Sequence, residues 1–184
     1  QVSTTFRFSF LQQINLYYSK HCIFCFCLIE KVLDVTLNGT MRCTRAALNH
    51  MYPRGTGVIV NNASVLGWRA QEGQAHYAAA KAGMINLTQT LALELAERGI
   101  RVNTVSPGPV VTEAYLGVLG ISDQLEKLRQ TIPLGRLGTI DDIGGAVMFL
   151  ASPAASWITG QNILVAGGRT ERSYQYGGRK QQGE

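Results

Sequence analysis

Tyr77 and Lys81 stand four residues apart in a stretch rich in Ala and Leu, His76 to Arg98, that has the pattern of a helix. Residues at that spacing on a helix share one face, with side chains in reach of each other. An ammonium beside a phenol favours the phenolate, so Lys81 is expected to lower the pKa of Tyr77 from its ordinary value of about 10. A phenol tuned in this way gives and takes a proton near neutral pH. Ser64 lies thirteen residues before Tyr77, just after the β-branched run Gly57 to Asn61. Its hydroxyl is placed to hydrogen-bond a carbonyl or a hydroxyl held against Tyr77. A Tyr-x-x-x-Lys pair alone occurs by chance on many surface helices. With Ser64 ahead of it, between a short apolar strand and a long Ala/Leu helix, the pattern is far more specific.

The neighbouring segments must hold these three side chains in place. Val32 to Met51 reads as an amphipathic helix ended by Pro53 and Gly55. Gly57 to Asn61 suits a strand buried on both faces. The helix carrying Tyr77 runs to Arg98 and stops at Gly99. Ile100 to Val105 is a second strand, closed by Pro107-Gly108-Pro109. Ser122 to Gln130 and Ile140 to Ala151 are further helices, the latter with Asp141 and Asp142 in its first turn. Ile163 to Val165 is a last short strand. Strands alternating with helices predict an α/β fold built of parallel βαβ units. In open sheets of this kind ligands bind at the carboxyl ends of the strands, which is where Ser64 falls.

Length and composition narrow the remaining choices. The 184 residues fit one domain, and 46% hydrophobic with 16% charged residues is a globular profile. The net charge of +5 divides into +2 within residues 1–31, +2 within 169–184 and only +1 in the body between. A nucleic-acid binder would concentrate that charge on the folded body, so no nucleic-acid partner is expected. The longest apolar run, Cys22 to Ile29, has eight residues. A membrane-spanning helix needs roughly 20, so no membrane partner is expected either. Cys22, Cys25 and Cys27 cluster beside His21, but no second Cys-x-x-Cys completes four zinc ligands and no metal site is expected. Nothing calls for disulfides or a signal peptide, and a cytoplasmic location is expected. Residues 1–30 lack a clean period and read as an unrelated or irregular segment. Residues 31–168 carry the α/β pattern, and 169–184 read as a flexible polar tail.

From Val32 to Gly168 the chain resembles the second half of a short-chain dehydrogenase/reductase. The resemblance is carried by VLDVTLNGTMRCTRAA, GVIVNNASVLG, HYAAAKAGMINLTQTLALELAERGIRVNTVSPGPVVTEAY, IPLGRLGTIDDIGGAVMFLAS and ITGQNILVAGG. It is nearest to the branch that includes 3-oxoacyl-carrier-protein reductases. It implies a partial Rossmann-like, doubly wound parallel sheet holding the last three strands and their helices, with the N-terminal half of the fold absent. It also implies a small-molecule substrate, a secondary alcohol or ketone, interconverted by hydride transfer with NAD or NADP. Ser64 would orient the substrate oxygen, Tyr77 would be the acid/base, and Lys81 would hold the nicotinamide ribose and tune Tyr77. Pro107 and Gly108 would line the nicotinamide pocket, Val110 would add a backbone contact, and Thr112 would bind the carboxamide. Family members form dimers and tetramers through the helix of Tyr77, so Ala82, Met84, Leu87, Leu91, Leu93 and Leu95 are candidates for a homo-oligomer contact.

The departures from the family pattern carry their own expectations. Asn61-Asn62-Ala63 resembles a cofactor turn that follows the fourth strand, but its distance to Tyr77 places it at the end of the fifth. The catalytic Asn of the family corresponds to Thr36 here, and Asn38 lies about 200° further round the helix at 3.6 residues per turn. The first glycine is Gly39, so no glycine-rich turn after a first strand is present to cradle a pyrophosphate. Each βαβ unit takes about 30 residues, and residues 1–30 cannot hold the two that are missing. The chain is therefore expected to be a fragment, with a non-enzymatic remnant that cannot bind cofactor as the alternative to an oxidoreductase.

Overall fold

The computed structural model describes residues 26–112 and 122–169. The candidate zinc ligands His21, Cys22 and Cys25 and the polar tail beyond Arg169 lie outside them. Strands β1 (Gly57–Asn62), β2 (Ile100–Pro107) and β3 (Asn162–Val165) form one parallel sheet in the order β1-β2-β3. The register pairs Gly57 with Ile100 and Asn62 with Val105 on one side of β2, and Thr104 with Asn162 on the other. Among the described residues the outer edge of β1 has no ladder partner.

Side-chain alternation along the strands explains why their sequences read as unbroken apolar runs. Ile59, Ile100 and Val102 pack with Ala92, Leu95, Leu48 and Met51 on one face. Val60, Val105 and Ile163 pack with Leu150, Ala155 and Val147 on the other. Helices therefore cover both faces, and a strand between two helical layers is apolar on both its sides. The first face is covered by α2 (Gly39–Met51) and α3 (Ala75–Leu95), the second by α5 (Ile140–Ala151), with α4 (Ser122–Gln130) preceding α5 in the chain. No helix of the described residues is long and apolar enough to cross a membrane.

Local signals set the element ends. Helix α3 passes into a short turn Ala96–Arg98 and stops at Gly99, whose φ of 69° is left-handed. Helix α5 opens on a capping box in which the Thr139 hydroxyl accepts from the Asp142 N–H while the Asp142 carboxylate accepts from the Thr139 N–H. Arg101 crosses from β2 to donate to the carbonyls of Leu150, Ser152 and Ile158, tying the end of α5 to the sheet. Asn103 does the same, donating to Ile158 O at 2.8 Å and accepting from Gln161 N.

Several expected boundaries move: β2 runs on to Pro107 instead of Val105, the α-helix of Tyr77 ends at Leu95, and the largest change is at the first helix. The first helix starts at Phe26 rather than Val32: α1 (Phe26–Leu33) runs through a π-helical segment, Asp34–Asn38, into α2. Residues 28, 29, 32, 33, 36 and 37 are half-buried, a continuous i, i+4 stripe that carries the helix into the stretch read as irregular. The π segment is marked by Gly39 N–H donating to Asp34 O, with the Thr40 hydroxyl donating to Thr36 O at 2.8 Å. On α3, Met84 and Leu95 belong to the core and Leu87 and Leu91 are half-buried, while Ala82 and Leu93 face solvent.

Candidate functional site

The carboxyl ends of β1 and β2 open into a cleft of about 760 Å³. Ser64 follows β1, its backbone extended and its hydroxyl accepting from the Leu66 N–H to cap the turn Val65–Gly67. That turn and the loop after it lead into α3, which presents Tyr77 and Lys81 one helical turn apart. The opposite wall is the segment after β2. Gly108 N–H donates to Val165 O at 2.9 Å, and Pro109 and Val111 exchange hydrogen bonds with Gly138. A Cβ at Gly108 would lie 2.8 Å from the Ala166 Cβ, so the close approach of this segment to β3 itself requires glycine. All seven residues expected at the site, Ser64, Tyr77, Lys81, Pro107, Gly108, Val110 and Thr112, line this one cleft.

The electrostatics differ from expectation in one respect. Burial raises the pKa of Tyr77 above its ordinary value of 10.0, and a hydrogen bond with Ser64 pulls in the other direction. The lowering expected from Lys81 is not there. The Lys81 ammonium donates to the Asn62 carbonyl at 2.6 Å and stands over the Tyr77 ring, 5.5 Å from its centroid, instead of on the hydroxyl. The same burial lowers Lys81 from 10.5 to about 8. A desolvated cleft disfavours both charged forms, and that effect exceeds the attraction between them.

Sequence reasoning missed part of the lining. Arg69, Gln71 and Gln74 come from the loop between Ser64 and α3, and Ile140, Ile143, Gly144 and Val147 come from α5. The α5 contributors stand at i, i+3, i+4 and i+7, a helical stripe legible in the sequence. Thr36 is not part of the lining. Asn61 is structural: its side-chain amide donates to the buried Thr88 hydroxyl at 2.8 Å. Among the described residues no group of three His, Cys, Asp or Glu side chains could hold a metal ion.

The cleft combines the polar side chains of Ser64, Tyr77, Lys81 and Thr112 with apolar Pro107, Val110, Ile143 and Val147, a lining that could hold a small organic ligand. No strand precedes β1 among the described residues, so they offer no strand, glycine turn and helix for a pyrophosphate.

A family model described as enoyl-(acyl carrier protein) reductase matches residues 28–170. The chain belongs to the short-chain dehydrogenase/reductase family. A relative named (5R,7aS)-5-hydroxy-7a-methyl-1-oxo-2,3,5,6,7,7a-hexahydro-1H-indene-carboxyl-CoA reductase, from Mycobacterium tuberculosis, is 45% identical over 139 residues, covering 74% of this chain and 52% of its own. A 3-oxoacyl-[acyl-carrier-protein] reductase of Synechocystis is 42% identical over 140 residues, covering 76% and 55%. The solved gluconate 5-dehydrogenase of Burkholderia cenocepacia, in complex with NADP and tartrate, superposes with a TM-score of 0.73 at 33% identity, over 77% of this chain and 55% of its own. This short-chain dehydrogenase/reductase thus spans about half the length of the curated relatives it matches.

Proposed function

We propose that the cleft is the alcohol–ketone site of an NAD(P)-dependent oxidoreductase acting on a small molecule, similar to a 3-oxoacyl reductase. The observation that carries this is the convergence of Ser64, Tyr77 and Lys81 on one wall of a cleft whose other wall is Pro107 to Thr112. A bound nicotinamide would supply or accept the hydride. The chain's own residues handle the oxygen and the proton. Ser64, largely buried and hydrogen-bonded with Tyr77, orients the substrate oxygen. Tyr77, held neutral by burial, donates its proton to a carbonyl oxygen as that oxygen gains charge, and takes one from a hydroxyl in reverse. Lys81 holds the ribose and restores the Tyr77 proton. Pro107, Gly108 and Val110 form the wall against the nicotinamide ring, and Thr112 meets its carboxamide.

The test is Tyr77→Phe, assayed by NADH or NADPH oxidation with a ketone substrate. Turnover is expected to fall by about 10²–10⁴-fold, the share of a positioned acid/base. Near-normal turnover would remove Tyr77 from the chemistry. The absence of a strand before β1 among the described residues favours a second reading, a non-enzymatic remnant that binds no cofactor. Titration of the 184-residue chain with NADH and NADPH, followed by nicotinamide fluorescence, separates the two. Saturable micromolar binding excludes the remnant.

A further inference from the structure

Arg69 has no part in the chemistry above. It follows the turn Val65–Gly67, and its backbone N–H donates to Val65 O at 3.0 Å, which fixes where its side chain begins. The side chain lines the cleft on the same loop that joins Ser64 to the helix of Tyr77. Its Nη1 is fully buried and has no hydrogen-bond partner. A guanidinium stays charged at any pH the fold survives, and a buried N–H without an acceptor costs free energy. Among the described residues no aspartate or glutamate lines the cleft, so none of them balances that charge there. Of the other cations lining the cleft, Lys81 already donates to the Asn62 carbonyl and Arg169 has an interaction of its own. A fixed cation with an unfilled donor, in a cleft whose described lining has no carboxylate, matches an anionic oxygen group brought in by the ligand.

We propose that Arg69 is a specificity-determining residue that binds an anionic group, a carboxylate or a phosphate, on the substrate whose carbonyl or hydroxyl meets Ser64 and Tyr77. The proposal rests on the cleft being the alcohol–ketone site, but its test reads charge preference in binding and not turnover. Gln71 and Gln74 of the same loop also line the cleft.

Trp68, next to Arg69 and half exposed, reports ligand binding by its fluorescence once the other tryptophan, the fully exposed Trp157, is replaced by Phe. The probes are 3-hydroxybutyrate, dihydroxyacetone phosphate and the neutral methyl ester of 3-hydroxybutyrate. One of the two anions is expected to bind the 184-residue chain at least about 10-fold tighter than the ester, and the tighter of the two identifies carboxylate or phosphate. Arg69→Met is expected to abolish that preference and Arg69→Lys to retain part of it. Tyr77→Phe should leave the preference intact, so failure of the catalytic assignment and failure of this one are distinguishable. The proposal is overturned by equal binding of ester and anions, by a preference that survives Arg69→Met, or by no saturable binding of either anion.

Discussion

Tyr77 and Lys81 show how a pair brought together by its spacing can carry an incorrect electrostatic expectation. Their spacing put them on one face, and the structure brings them together. Burial, which spacing does not reveal, then decided their protonation. Lys81 titrates near 8 in the fold against 10.5 for a free side chain. Between those values the unfolded chain holds a proton that the native chain does not, so stability rises with pH across that window. Below about 8 both states carry the proton and the penalty of the buried charge is fully present. Tyr77, shifted upward, opposes this only above pH 10, where the unfolded phenol ionises first. Denaturant midpoints of the native chain and Lys81→Met should therefore converge or cross in favour of the native chain from pH 8 to 10. A difference independent of pH would show that Lys81 is not desolvated. Arg69 was illegible for a related reason: a single arginine in a loop has no period, and only the closed cleft shows its donor to be unfilled.

At the scale of elements the sequence was most informative where packing and local chemistry agree. Helices α4 and α5 have the boundaries their patterns predict, and at α5 the Thr139 cap and the Asp142 carboxylate act within one turn. The start of α1 was hidden by its cysteines and aromatics, although the stripe at 28, 29, 32 and 33 was available. The π segment at Thr36 leaves no mark in an i, i+4 pattern, since it inserts one residue into a turn. The way α3 is docked on β1 depends on a polar pair, Asn61 with Thr88, whose first member stands in a stretch that only resembles a cofactor turn. Asn61 is 8% exposed and Thr88 1% exposed, and the bond between them fixes α3 relative to the strand that delivers Ser64. Thr88→Val keeps the shape and removes the acceptor. It leaves a buried amide N–H unpaired and should cost about 1–3 kcal/mol by denaturant unfolding. An unchanged midpoint would show that this bond does not hold the helix.

For the whole molecule, the sheet edge decides how the chain behaves in solution. Among the described residues, β1 pairs with β2 and its other side offers unpaired N–H and C=O groups. Val58, Ile59 and Val60 make that edge apolar and uncharged, a pattern prone to pairing with another chain. Apolar surface adds to it: Leu93 is 82% exposed and Trp157 99% exposed. The fold class was legible because strands alternate with helices along the sequence, whereas the state of an edge depends on what lies beside it in space. The expressed 184-residue chain should associate beyond a dimer in light scattering and bind 8-anilinonaphthalene-1-sulfonate through its exposed apolar surface. Lysine at Val58 places a charge on the edge and should reduce the association if the edge is its cause. A dye-silent dimer would instead place Leu93 and Ala82 of α3 in a specific contact between copies. A dye-silent monomer with a cooperative melt above about 45 °C, the range of ordinary mesophilic domains, would show that the β1 edge is covered in solution.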